Sequence, residues 1–121
     1  MTNPFSKGPE KRNYKRLELE LPVKLEVDGH EIETSTENIS CGGMFLPVKK
    51  KKGLTGLKEY DELTAFITIP DECRSIKLTA CVNRVQRNTE RTPIGVAIEF
   101  CGLFDENHLE ISRYLKTKLT N

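Results

Sequence analysis

From Leu17 the chain alternates apolar and polar side chains: Leu17, Leu19, Leu21, Val23, Leu25 and Val27 are apolar, with Arg16, Glu18, Glu20, Pro22, Lys24, Glu26 and Asp28 between them. A period of two marks a strand with one buried face. Pro22 falls on the outward set, which points to an edge or a bend rather than a central strand. Asp28-Gly29 follows, and since both central residues of a type I′ turn need positive φ, this pair predicts a tight hairpin. With those two residues as the loop, Val27 faces His30, Leu25 faces Ile32 and Leu19 faces Asn38. The same register sets Arg16 opposite Cys41.

The remaining pattern is short strands and one change of period. Met44-Phe45-Leu46 reads as a third strand ended by Pro47, and Lys49-Lys50-Lys51-Lys52-Gly53 through Gly56 as a polar loop. Leu63, Ala65, Ile67 and Ile69 alternate up to Pro70, and Ile76, Leu78, Ala80 and Val82 form a fifth strand. Its phase shifts at Val85, as a β-bulge would cause. Ile94, Val96, Ile98 and Phe100 form a sixth, reached through a hairpin loop at Asn88, Thr89, Glu90 and Arg91. Phe104, His108, Ile111, Leu115 and Leu119 then recur at three and four, behind Asp105 as an N-cap. The expected fold is mainly β: a six-stranded antiparallel β-barrel with a C-terminal α-helix. Residues 1–10 read as a flexible leader, and residues 11–121 as a single domain.

Composition narrows the function. With 19 basic and 18 acidic residues in 121, the net charge is +1, so no global field favours nucleic acid and anion recognition has to be local. Neither a signal-type apolar core nor a run of membrane-spanning length occurs, so a cytoplasmic protein without a membrane span is expected. Cys41, Cys73, Cys81 and Cys101 lack paired metal-ligand spacing, which favours reduced, packed thiols over a metal site. Cys41 has no histidine near it in sequence to activate it as a nucleophile. Neither a nucleophile–base pair nor a phosphate loop is present. A binding module is expected, with no catalytic residue and no cofactor.

Two polar motifs remain, and the hairpin register brings them together. Arg12-Asn13-Tyr14-Lys15-Arg16 is an R-x-x-x-R, and Asn38-Ile39-Ser40-Cys41-Gly42-Gly43 is an N-x-S-x-x-G. Guanidiniums fork onto phosphate, stack on base planes and match the O6/N7 edge of guanine. Asparagine and serine supply adaptable hydrogen bonds, and glycine admits close backbone approach. The pairing therefore suits a guanine ligand that carries phosphate.

In that order and spacing, the motifs resemble the signature of the PilZ domain family. The likeness extends over almost the whole chain and includes Ile94-Gly95-Val96-Ala97-Ile98-Glu99-Phe100 near the C-terminal helix. The resemblance implies a bacterial receptor for the second messenger cyclic di-GMP, with Arg12, Arg16, Asn38, Ser40 and Gly43 as ligand residues. Lys11 and Gly42 join them as outlying members. In the family, the position of Lys11 is thought to influence whether one or two ligand molecules are held. The implied protein is a single-domain adaptor, a monomer or weak homodimer, that reorders its arginine segment on the ligand and signals to an effector protein.

Blander readings stand beside this one. Arg12 and Arg16 alone are ordinary solvated charges, and residues 38–43 alone are an ordinary turn. Tyr14 suits either base stacking or packing against the barrel. His30 and His108 read as structural. Lys49 to Lys52 suits an anionic membrane or nucleic-acid backbone, although a solvated loop is the commoner fate. An alternative is a PilZ-like module that binds protein without nucleotide. A single-strand nucleic-acid barrel is a third, disfavoured because the chain has no tryptophan and balanced charge.

Overall fold

The computed structural model describes residues 15–102 and 105–119, the side chains of Lys50 and Lys52 excepted. Among the described residues, seven strands precede one helix: β1 (Pro22–Val27), β2 (His30–Ser35), β3 (Asn38–Ile39), β4 (Gly43–Pro47), β5 (Glu62–Ile69), β6 (Arg74–Arg87), β7 (Pro93–Phe100) and α1 (Glu106–Leu119). They form a single antiparallel sheet in the order β2-β1-β5-β6-β7-β4-β3. Leu17, upstream of β1, pairs with Ile39 of β3 at the opposite edge. The sheet thus curls into a half-barrel whose two ends meet through that bridge.

The extra strand is a finding about residues 38–39. The expected fold ran them on from the second strand, whereas they pair with Phe45 and Met44 of β4. Pro22 also departs from expectation, because β1 lies between β2 and β5, inside the sheet. Pro22 is the first residue of β1 and pairs only with Ser35 of β2, so its missing N–H interrupts no ladder toward β5.

The hairpin forms as expected. Val27 faces His30 and Leu25 faces Ile32, with Asp28 at φ 50° and Gly29 at φ 80°, the positive values a type I′ turn needs. The expected register persists at Thr36, whose N–H donates to the Leu21 carbonyl at 3.0 Å, and beyond Thr36 it does not hold. Leu17 pairs with Ile39, so Arg16 comes opposite Ser40 rather than Cys41.

Thr36 explains the slip. Its fully buried hydroxyl accepts from the Leu21 N–H at 2.9 Å and donates to the Leu19 carbonyl at 2.6 Å. A side chain thereby stands in for a backbone partner, leaving one extra residue on the Leu17–Leu21 side.

The core fills the concave side: Leu25, Ile67, Leu78, Val82, Val96, Leu46 and Ile39 are almost completely buried, as the period of two requires. The polar connection after β4 is tied down instead of looping free. It makes 3₁₀ turns at Val48–Lys50 and Lys52–Gly56, and Leu54 and Leu57 are buried in the core.

At the helix start, Asp105 caps as expected, its carboxylate accepting from the His108 N–H at 2.8 Å. Ile111, Tyr114 and Leu115 face the core, while Leu109 and Leu119 remain exposed. Phe104 lies outside the described residues. Among the described residues, no helix is long and apolar enough to cross a membrane.

Candidate functional site

On the convex side of β3, β4, β7 and β6 lies an open cleft of about 570 Å³. Its floor follows from strand register. Asn38 pairs with Phe45, Phe45 with Ala97, and Ala97 with Arg84, giving a row across four strands. Two residues along, Pro47, Gly95 and Gln86 form the next row. Residues two apart on a strand share a face, so both rows look into the cleft.

Arg16, Asn38, Ser40 and Gly43 all line it. The lead-in to β1 and the turn after β3 thus meet at one cleft, with Arg16 delivered by the Leu17–Ile39 bridge (2.8 and 2.9 Å). Gly42 is not among the described lining residues. Lys11, Arg12 and Tyr14 lie outside the described residues.

The turn itself is held from several directions. Ser40 N–H donates to the Gly43 carbonyl at 2.8 Å, and Phe100 N–H donates to the Gly42 carbonyl at 2.9 Å. Gly42 N–H donates to Ser40 Oγ at 3.1 Å. A hydroxyl accepting in this way still has its own hydrogen to donate. His108 Nε2–H donates to the Cys41 carbonyl at 2.6 Å, joining the turn to the first turn of α1. His108 is 3 % exposed, and its role as a clamp on the second motif is not readable from a helical stripe.

Gly43 has a different reason for being glycine than ligand approach. A Cβ there would stand 2.1 Å from the Ile98 carbonyl oxygen of β7, so backbone packing excludes any side chain. Gly95 is similarly occupied, since a Cβ would meet the tip of the Phe45 ring at 1.9 Å. Phe45 fills the space above Gly95 and forms part of the cleft floor.

Three charged cleft residues lie outside the two motifs: Arg84, Lys49 and Glu37. Lys49 belongs to the four-lysine run, and the 3₁₀ turn beginning at Val48 brings it to the cleft wall. Arg84 arrives through the bulge in β6. The register moves from Val82 opposite Ile98 to Arg84 opposite Ala97, so Asn83 is the extra residue and Arg84 faces outward instead of into the core. The phase shift at Val85 was the available signal. Among the described lining residues, Arg16, Lys49 and Arg84 are opposed by the single carboxylate of Glu37, which makes the cleft cationic.

The bulge is pinned by charge. Glu59 Oε2 accepts from the Val85 N–H at 2.9 Å, while Arg87 donates to the Val85 carbonyl at 3.5 Å and lies 3.9 Å from Glu59. The bond from Val85 N–H, helped by the backbone N–H of Glu59 itself and by Arg87, holds the Glu59 carboxyl below its ordinary value.

Among the described residues, no group of three or more histidine, cysteine, aspartate or glutamate side chains could hold a metal ion. All four cysteines are free thiols, with Cys41 half-buried.

Comparison with known proteins agrees with this architecture. The PilZ domain model matches residues 10–117. The chain belongs to the PilZ domain family.

The Bacillus subtilis inhibitor of motility MotI/DgrA superposes with a TM-score of 0.73 at 23% identity, covering 93% of this chain and 53% of that one. The chain therefore spans about half the length of that protein. The PilZ domain of Escherichia coli YcgR, solved with c-di-GMP, gives 0.71 at 12% identity, covering 89% and 91%. Borreliella burgdorferi PlzA, also in complex with c-di-GMP, gives 0.52 at 11%, covering 88% and 52%. At these identities the likeness concerns the fold. No curated protein matches the sequence.

Proposed function

We propose that the cleft binds cyclic di-GMP and that the protein is a binding module rather than an enzyme. The observation that carries this reading is the shared cleft of Arg16 with Asn38, Ser40 and Gly43. Cyclic di-GMP joins two guanosines through two phosphodiesters, so it offers anionic oxygens and O6/N7 edges to arginine. Arg16 forks onto a phosphate or a guanine edge, with Arg12 as its partner in the motif. Asn38 bonds a guanine through its amide, and Ser40 donates from its hydroxyl. Gly43 keeps the ledge flush, with Gly42 beside it in the turn and Lys11, next to Arg12 in sequence, as further ligand residues. Membership of a family with members solved around c-di-GMP supports the reading.

Ligand capture orders the arginine segment over the cleft and creates a surface for an effector protein inside the cytoplasm. Hydrogen exchange with and without cyclic di-GMP tests this reading. Protection is expected at residues 11–16 and 38–43. Protection confined to the β1–β2 hairpin tip, or none at saturating ligand, would reject it.

A further inference from the structure

We infer that Arg84 is a ligand-gripping residue at the far wall of the cleft, holding the second half of the dinucleotide opposite Arg16. This rests on the ligand reading above and extends it to a position outside both motifs.

The first observation is the bulge. In an uninterrupted β6, Arg84 would share the inward face of Val82, among the core side chains. The extra residue Asn83 places Arg84 opposite Ala97 and turns it toward solvent. Bulges near binding sites commonly re-aim a side chain in this way. This one is held by two contacts that do not involve Arg84: Val85 N–H donating to Glu59, and Arg87 donating to the Val85 carbonyl.

The second observation is placement. Arg84 ends the row that begins at Asn38 and passes through Phe45 and Ala97. Three strand spacings separate the row's ends, a distance of about 14 Å. That separation suits a ligand with two nucleotide units more than one with a single base. Phe45 and Ala97 supply a low floor between the ends, and Ile94, which the second irregularity of the β6–β7 pairing leaves 42% exposed, walls one side.

The third observation is availability. Among the described residues, Arg84 makes no ion pair or side-chain hydrogen bond with the protein, unlike Arg74, which pairs with Glu72 and Glu110 at 2.7 Å each. An exposed arginine facing a cationic cleft, with its fork uncommitted, is placed to take a phosphate or the acceptor edge of a guanine.

Calorimetric titration of the full chain with cyclic di-GMP tests the assignment in Arg84→Ala, Arg84→Gln and Arg84→Lys. Both neutral variants should weaken binding about tenfold or more, with an unchanged melting temperature. Lysine should restore only part of the loss, since it cannot fork. Affinity in Arg84→Ala within about twofold of the unaltered chain would overturn the assignment and leave the ligand reading standing. A loss accompanied by lowered melting in both neutral variants would place Arg84 in the fold and overturn it as well. No binding by the unaltered chain would instead reject the ligand reading, and this assignment with it.

Discussion

His108 Nε2 lies 2.6 Å from the carbonyl oxygen of Cys41, so the imidazole of α1 clamps the turn that carries Ser40 and Gly43. Helix and ledge are 67 residues apart in sequence, and this bond ties them directly. Removing the donor leaves a part-buried carbonyl without it. His108→Ala should therefore cost about 1–3 kcal/mol in urea unfolding, and His108→Gln, which can still present an N–H, should recover part of it. Equal losses in the two variants would show that volume matters and the bond does not.

Gly43→Ala should act through the sheet. Its new methyl would run into the Ile98 carbonyl at 2.1 Å, forcing β4 away from β7 at a cost of about 1–3 kcal/mol. Loss of ligand binding in this variant should come with a lower unfolding midpoint. Lost binding at full stability would mean that the glycine serves the ligand directly.

Thr36→Val tests the register slip. The variant keeps the shape and removes the hydroxyl that serves Leu21 N–H and the Leu19 carbonyl. The two groups are left short of partners, at about 1–3 kcal/mol. Since the same segment carries Arg16 to the cleft, ligand affinity should fall too. A neutral effect on stability would contradict the account of the slip.

Glu59 makes stability depend on pH in a defined sense. Its folded carboxyl sits below the ordinary 4.5, first because Val85 N–H donates to it. A depressed carboxyl contributes stability that is complete above the unfolded value and is lost as pH falls through the folded one. The stability difference between the unaltered chain and Glu59→Gln should be constant above about pH 4.5 and shrink below it. A difference that persists unchanged into stronger acid would rule out this role for the carboxylate.

Much of the fold could be read from the residues. The alternation around Asp28-Gly29 determines the first hairpin to the residue, because side-chain period and turn chemistry agree. The break at Val85 marked the bulge, and Asp105 marked the helix start. What stayed hidden depends on side chains acting at a distance. The Thr36 hydroxyl shifts the register, and burial of Leu54 and Leu57 pins a segment that reads as a polar loop. The cleft was legible where its residues are consecutive, as in residues 38–43. Arg84 and Lys49 reach it through a bulge and a 3₁₀ turn, and no local pattern announces where such irregularities point.

The most direct measurement is calorimetric titration with cyclic di-GMP of the unaltered chain, Arg12→Ala and Arg16→Ala. Saturable heat is expected for the unaltered chain. Each arginine variant should lose about 2 kcal/mol or more of binding free energy, the worth of a forked charged contact. An absence of heat in the unaltered chain, or equal affinity in all three proteins, would contradict the assignment of this cleft to the dinucleotide.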